Sequence, residues 1–369
     1  MRYIDGGAAM TACVYAPWRR QQGMSLTELL VAMVLSLGIV GTVISVFVAS
    51  KHSYLVQDNV AWMQENARHA FRKLGYDIRM SGYLGDLQEY WNLIETIDGT
   101  RKIPGAVAGE CFTTKSGGGA FRWIAPMLAN DGAALPSYGP KLFGADNDDG
   151  DFGCLTVGTA LSDYRAGTDV LSAHYAEPAA IAAGSLTANR YYINTALRSG
   201  RLFQCDVTAS CVPTDAPAGG TNHALYAAVY YISPCGRAGN DGACNTSDDV
   251  PALMRVKLED DGTIGRDRMA EGVIDMQIQY GVDSTGDGLA DRYIDSPNTF
   301  RDATTWINLA TVKAVRVWLL MRVREPGYTD PNGDYVFADV SITPTSGYRY
   351  QLFTSTFSVR NQYSAAAAF

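Results

Sequence analysis

Several kinds of chemistry are missing from this sequence. It has no His-Glu-x-x-His, no Gly-x-Ser-x-Gly elbow, no P-loop and no Gly-x-Gly-x-x-Gly after a strand. The groupings that activate a zinc-bound water, expose a serine nucleophile or cradle a phosphate are therefore absent. Isolated Ser, His and Asp residues occur as in any chain of this size, and no enzymatic activity is expected. The four histidines (His52, His69, His174, His223) are scattered, and no Cys-x-x-Cys pair occurs, which argues against zinc. Positive charge is in the minority. Thirty Lys and Arg stand against 38 Asp and Glu, a net charge of −8. An acidic exterior argues against direct nucleic-acid binding and suits a soluble face that binds cations or basic partners.

Two absences are local. No charge occurs in residues 29–49, and no proline between Met24 and Ile103. Only Ser36, Thr42 and Ser45 are polar in the first run, which also holds Gly38 and Gly41. An uncharged run of this length crosses a bilayer as a helix. After Ser50 the pattern becomes amphipathic. Val56, Val60, Met63, Ala67, Phe71, Leu74 and Ile78 recur at steps of three and four, lining one helix face, before Gly82 and Gly85 punctuate the chain. One helix from Met24 to about Ser81 would run roughly 85 Å. Its second half must pack on something, and the natural partner is a sheet of the same chain. Gly38 and Gly41 permit either local unwinding or close helix packing.

Glu28 is the oddity. It lies one residue before the uncharged run, and a carboxylate at a membrane boundary usually has a partner. No cation follows until Lys51. The nearest candidate is a new α-amino group made by cutting the chain after Gly23. Arg19 and Arg20 precede the span, which places the N-terminus in the cytoplasm and the bulk of the chain outside it. The apolar run exceeds a secretory h-region, and no small-residue cleavage site closes it. An ordinary signal anchor with a stray glutamate is the alternative.

The stretch Arg19-Arg20-Gln21-Gln22-Gly23-Met24-Ser25-Leu26-Thr27-Glu28, followed by an apolar helix, resembles the class III signal of type IV prepilins. The resemblance implies cleavage after Gly23 by a prepilin peptidase, N-methylation of Met24, and an assembly role for Glu28 at mature position five. Residues 1–23 then read as leader. Its length is greater than that of many prepilin leaders, and Met10 is an alternative start. The leader contributes +2, so a chain starting at Met24 carries −10.

Removing the leader removes Cys13 and leaves Cys111, Cys154, Cys205, Cys211, Cys235 and Cys244. An even number in an exported segment suggests disulfides. Six cysteines allow fifteen pairings. The local ones are Cys205–Cys211 and Cys235–Cys244, which would leave Cys111–Cys154.

Residues 82–169 read as a loop-rich connection, with Gly-rich (115–119) and Asp-rich (146–151) stretches, the latter taken as surface. Strand signals dominate residues 170–369, with candidates at 169–175, 190–193, 224–232, 252–258, 273–280, 312–323 and 348–359. In residues 273–280 the apolar side chains fall on even positions, predicting one buried face. Val315, Val317, Leu319 and Met321 alternate with Arg316, Trp318, Leu320 and Arg322. Gly, Asn and Asp between strands suit hairpins and meanders. The expected fold class is α+β, a long N-terminal helix on a mainly antiparallel sheet. The expected segments are a leader (1–23), a membrane or filament-core helix (24–50), its amphipathic continuation (51–81) and an exported β-rich domain (82–369).

Ala270-Glu271-Gly272-Val273 with Met276 and Gln279-Tyr280-Gly281, then Val315-Arg316-Val317-Trp318-Leu319 and residues 353–361, resemble the PilW family of minor pilins. That resemblance implies a type IV pilin-like fold and a structural subunit that helps initiate or cap a type IV pilus. It implies partners among other minor pilins, the major pilin, the prepilin peptidase, the inner-membrane assembly platform and a PilY-type tip adhesin. The implied location is the inner membrane, with a periplasmic domain, and then the pilus of a Gram-negative cell. A type II secretion pseudopilin shares the leader and helix. A membrane-anchored calcium-binding adhesin or receptor is the reading from another class.

No cofactor is required by these readings, but one loop suits calcium. Asp283, Thr285, Asp287, Leu289 (through its carbonyl) and Asp291 fall at positions one, three, five, seven and nine of a D-x-[DNST]-x-D-G loop. Ile294 occupies position twelve, where a bidentate glutamate is usual. The alternative is a solvated hairpin loop.

Overall fold

The helix begins where the chain first offers a cap. In the computed structural model α1 runs Leu26–Met80, 55 residues without interruption at Gly38 or Gly41, so the unwinding alternative for those glycines is not realised in the single chain. The structure describes residues 23–87, 93–94, 113–114, 120–121, 142–147, 152–205, 211–214, 216–244, 249–295, 312–324, 326–327, 330 and 333–361. The chain divides into two compact units, Met1–Asp58 and Asn59–Phe369.

In the first unit, described from Gly23, no side chain is buried. Leu26, Leu37, Val46 and Phe47 are all about two-thirds exposed or more. Among the described residues, α1 is the one helix long and apolar enough to cross a membrane.

In the second unit, α1 buries Met63, Ala67, Ala70, Leu74, Gly75, Asp77 and Ile78. The predicted stripe is recognisable at Met63, Ala67, Leu74 and Ile78, whereas Phe71 is half-buried. The helix ends in a glycine cap. Ser81 N–H donates to Asp77 O at 2.9 Å, and Gly82 takes φ +79° while its N–H donates to His174 O. A left-handed residue there costs a glycine nothing.

Sixteen strands follow among the described residues. The first eight are β1 (Leu93–Ile94), β2 (Thr113–Thr114), β3 (Ala120–Phe121), β4 (Leu142–Ala145), β5 (Val170–Ile181), β6 (Tyr191–Ala196), β7 (Ser199–Gln204) and β8 (Thr221–Arg237). The second eight are β9 (Val250–Leu258), β10 (Ile264–Glu271), β11 (Val273–Val282), β12 (Arg292–Asp295), β13 (Val312–Arg322), β14 (Tyr335–Phe337), β15 (Val340–Ile342) and β16 (Tyr350–Ser358). All seven candidates from the sequence are strands, most with shifted ends. β7, β10, β12, β14 and β15 were not anticipated: Arg, Asp, Ser and Gly interrupt the apolar pattern of the first three, and the last two have three residues each.

The larger sheet has the order β1-β7-β6-β8-β5-β4, with β9 and then β10 added beside β8. The long β8 organises it. Its first half pairs with β6 on one side and β5 on the other, and its second half pairs with β9. The smaller sheet has the order β12-β11-β13-β16 and is antiparallel throughout. One described pairing, β1 with β7, is parallel. The second half of α1 shares one hydrophobic core with both sheets. The result is the α+β pilin-like architecture expected: a long N-terminal helix on a largely antiparallel β domain.

Two expectations need correction. β11 has no solvent face over residues 273–278: Asp275 and Gln277 are as buried as Ile274 and Met276. The connection before β5 covers that face. Asp169 N–H donates to Met276 O at 2.9 Å, Ile278 N–H donates to the Asp169 carboxylate at 2.7 Å, and Gln277 Nε2 donates to Asn147 Oδ1 at 3.2 Å. For the same reason the Asp-rich stretch is not simply surface. Asp146 and Asn147 are half-buried, and Asn147 N–H donates to Asp169 Oδ1. Residues 148–151 lie outside the described residues, as do most of 88–141.

Candidate assembly site

The start of α1 is built by a reciprocal cap. Ser25 Oγ accepts the N–H of Glu28 at 3.2 Å, and Glu28 Oε2 accepts both the N–H of Ser25 at 2.9 Å and its hydroxyl at 3.0 Å. This is the capping box that Ser-x-x-Glu encodes before an apolar run. The sequence reading gave Glu28 no partner before a new α-amine. The structure supplies one in Ser25, and the spacing Ser25-Leu26-Thr27-Glu28 was the signal for it. Oε1 of Glu28 accepts no hydrogen bond among the described residues. Gly23, Met24 and Glu28 are all exposed. A Cβ added at Gly23 would meet nothing within 4 Å, so the fold itself gives no reason for a glycine there. Gly38 and Gly41 are equally open.

The domain end of α1 is fixed by a buried carboxylate that the sequence reading missed. Asp77 is 0% exposed. It accepts hydrogen bonds from the hydroxyls of Tyr175 (3.0 Å), Tyr226 (2.8 Å) and Tyr230. Lys73, one turn earlier, is 3.3 Å away. Burial first, and then the Asp77 charge, push the three phenols' pKa values up, which keeps them protonated as donors. Tyr175 and Tyr226 stack at 4.5 Å between ring centroids. An acidic residue on the apolar face of a helix, with tyrosines two strands apart, was the available clue.

A second node sits where β10 turns into β11. Gly272 has φ +82°, and a Cβ there would come within 2.8 Å of Arg322 O and of the Trp62 ring. Beside it, the Glu271 carboxylate faces Arg237, Arg268 and Arg324 at 3.5, 3.4 and 3.1 Å. Arg324 also lies over the Trp62 ring, 5.2 Å from its centroid. The Glu-Gly pair thus joins the two sheets under α1, which accounts physically for that motif.

Cys205–Cys211 and Cys235–Cys244 are disulfide-bonded. Cys154 is also in a disulfide, and Cys111 lies outside the described residues. The candidate calcium loop is organised on itself. Asp283 accepts the N–H groups of Gly286 (2.6 Å) and Gly288 (2.8 Å), Asp287 accepts that of Leu289, and Asp291 accepts those of Ser284 and Thr285. Lys313 lies 3.8 Å from Asp283. Among the described residues no group of three or more His, Cys, Asp or Glu is placed to hold a metal ion.

Comparison with known proteins adds two matches. Residues 18–45 match the prokaryotic N-terminal methylation motif, and residues 229–361 match the type IV pilus-assembly protein W family. The second match covers the C-terminal part of β8 through β16, with the Glu271–Gly272 node inside it. No curated protein and no solved structure matched the chain. PilW is a structural pilus-assembly family and not an enzyme family. A methylation motif on an exposed apolar helix, together with a PilW region on the domain it leads into, supports a PilW-like type IV pilin with a class III leader.

Proposed function

We propose that the subunit helps initiate or cap a type IV pilus in a complex with other minor pilins, held in the inner membrane by α1 before assembly. The observation that carries the proposal is the exposed carboxylate of Glu28 at the head of a fully exposed apolar helix. The prepilin peptidase cuts after Gly23, where a side chain would be tolerated by the fold but not by the peptidase. The methylated α-amine of Met24 on a neighbouring subunit then meets the free Oε1 of Glu28. Each charge neutralises the other among apolar helices, where either alone would be costly. The domain from residue 59 onward faces outward and meets the other minor pilins, the major pilin and a tip adhesin.

Intact mass and N-terminal sequencing of the membrane-extracted protein, with and without prepilin peptidase, test the first step. A chain beginning at N-methyl-Met24 only when the peptidase is present supports the proposal. Retention of residues before Gly23 in both strains defeats it and favours a membrane-anchored receptor. Recovery in sheared pili separates a pilus subunit from a secretion pseudopilin, and the match over residues 229–361 favours the pilus.

A further inference from the structure

Among the described residues the smaller sheet ends at β16, and β16 pairs on one side only. Its register with β13 places Ser358 opposite Ala314 and Tyr350 opposite Arg322. Val359 N–H donates to Lys313 O, and Val323 N–H to Arg349 O, each between residues directly opposite. Odd-numbered residues of β16 therefore spend their backbone groups on β13, and even-numbered ones point theirs at the free edge. At Tyr350 that edge is closed: its N–H donates to Asp330 and its carbonyl accepts from Tyr335. At Leu352, Thr354, Thr356 and Ser358 it is open among the described residues.

An open edge is a template for another strand and is usually blunted. Here it borders a groove of about 520 Å³ between β16 and α1. Phe353, Ser355 and Phe357 form one wall; Arg68, Arg72 and Arg79 line the other. Spacings of four and seven put the three arginines on one helix face. Among the described residues none makes an ion pair, although the chain carries net charge −8. Arg72 has only the His69 ring at 3.2 Å, and Arg79 only the Phe357 ring at 5.6 Å. Side chains on one face of an added strand recur every ~7 Å, close to the ~6 Å rise between Arg68 and Arg72.

We propose that β16 accepts an extended, acidic segment of a different protein as a further strand, with its alternate carboxylates against Arg68, Arg72 and Arg79. Backbone pairing gives the affinity and the arginines give the selectivity, as in other cases of strand addition. The inference does not depend on Glu28 or on leader cleavage.

The test uses the full-length chain in detergent micelles and a labelled peptide of alternating glutamate and valine, read by fluorescence anisotropy. Binding should weaken with salt, and an alternating lysine–valine peptide should not bind. Thr354→Pro removes an outward N–H that β13 does not use. It should weaken binding about tenfold or more, as should the double variant Arg68→Glu/Arg72→Glu. A circular-dichroism melt of each variant verifies folding, and the exposed arginine pair serves if the proline variant does not fold. No binding, equal binding of the lysine peptide, or binding untouched by a folded Thr354→Pro would each overturn the proposal. Self-association lost in both variants, with no peptide binding, would overturn it in favour of a second copy of this chain.

Discussion

Between Leu26 and Asp58 no side chain of α1 is buried; between Asn59 and Met80 seven residues are. The backbone is helical through both. As far as Ala49 the first part is apolar all round, and it carries its one early charge in a cap at its head. The second is apolar on one stripe and carries a charge in the middle of that stripe, at Asp77. A helix without a polar face leaves its energetics to lipid or to other helices. A helix with a stripe is held by its own chain. Both carboxylates are unusual for their setting: Glu28 caps the helix and is the group proposed to meet a neighbouring subunit, whereas Asp77 binds β5 and β8.

The sharpest way to break this comparison is at Glu28. Glu28→Ala should abolish recovery in sheared pili while the membrane-extracted amount and the domain's melting temperature stay near wild type, because among the described residues Glu28 bonds only to Ser25. Immunoblots of sheared and membrane fractions, with a thermal melt, measure the two sides. A variant that still enters pili would remove Glu28's proposed role.

Asp77→Ala should do the reverse. It leaves the buried hydroxyls of Tyr175 and Tyr230 without their acceptor, at about 1–3 kcal/mol for each unsatisfied group, and removes the partner of half-buried Tyr226 and Lys73. Urea unfolding of the extracted protein reads this loss. A smaller loss, about 1–3 kcal/mol, is expected for Gly272→Ala, since φ +82° and the close Arg322 carbonyl both oppose a Cβ. Removing Cys235–Cys244 by a double serine substitution should cost about 2–3 kcal/mol by loop entropy.

The smallest effect is on pH. Burial pushes Asp146 and Asp275 up to about 6 and raises Asp169 well above its ordinary value. Each then binds its proton more tightly folded than unfolded, so stability is gained as pH falls from 7 through 6 towards 4. Asp261, Asp267 and Asp291 are lowered by hydrogen bonds to Thr263, Arg255 and Ser284, and their contribution is lost below about pH 4. The melting temperature should therefore be highest near pH 4. Asp275→Asn should flatten the rise, whereas Glu28→Ala should leave the profile unchanged.

The helix, its amphipathic switch and most long strands were legible because their periods are local. Met63, Ala67, Leu74 and Ile78 repeat at helical spacing whatever they pack against. β8, β11 and β13 are rich in β-branched and aromatic residues. The cap at Ser25 and Glu28 was equally local and was overlooked because the carboxylate was read as a charge rather than as an acceptor. β10 was hidden because Arg266, Asp267 and Arg268 belong to side-chain contacts with Ser162, Arg255 and Gly236 that no local pattern reveals.

By itself the sequence determined where an apolar helix long enough to cross a membrane runs and that a sheet domain follows. Those properties depend on the order of apolar and charged residues along a short stretch. Only the tertiary structure decided that Asp77 is an anchor, that both faces of β11 are covered and that β16 keeps an open edge beside Arg68, Arg72 and Arg79. These depend on which residues, 98 to 282 positions apart, share one surface, and the burial that gives them their energies exists only once the chain has closed over them.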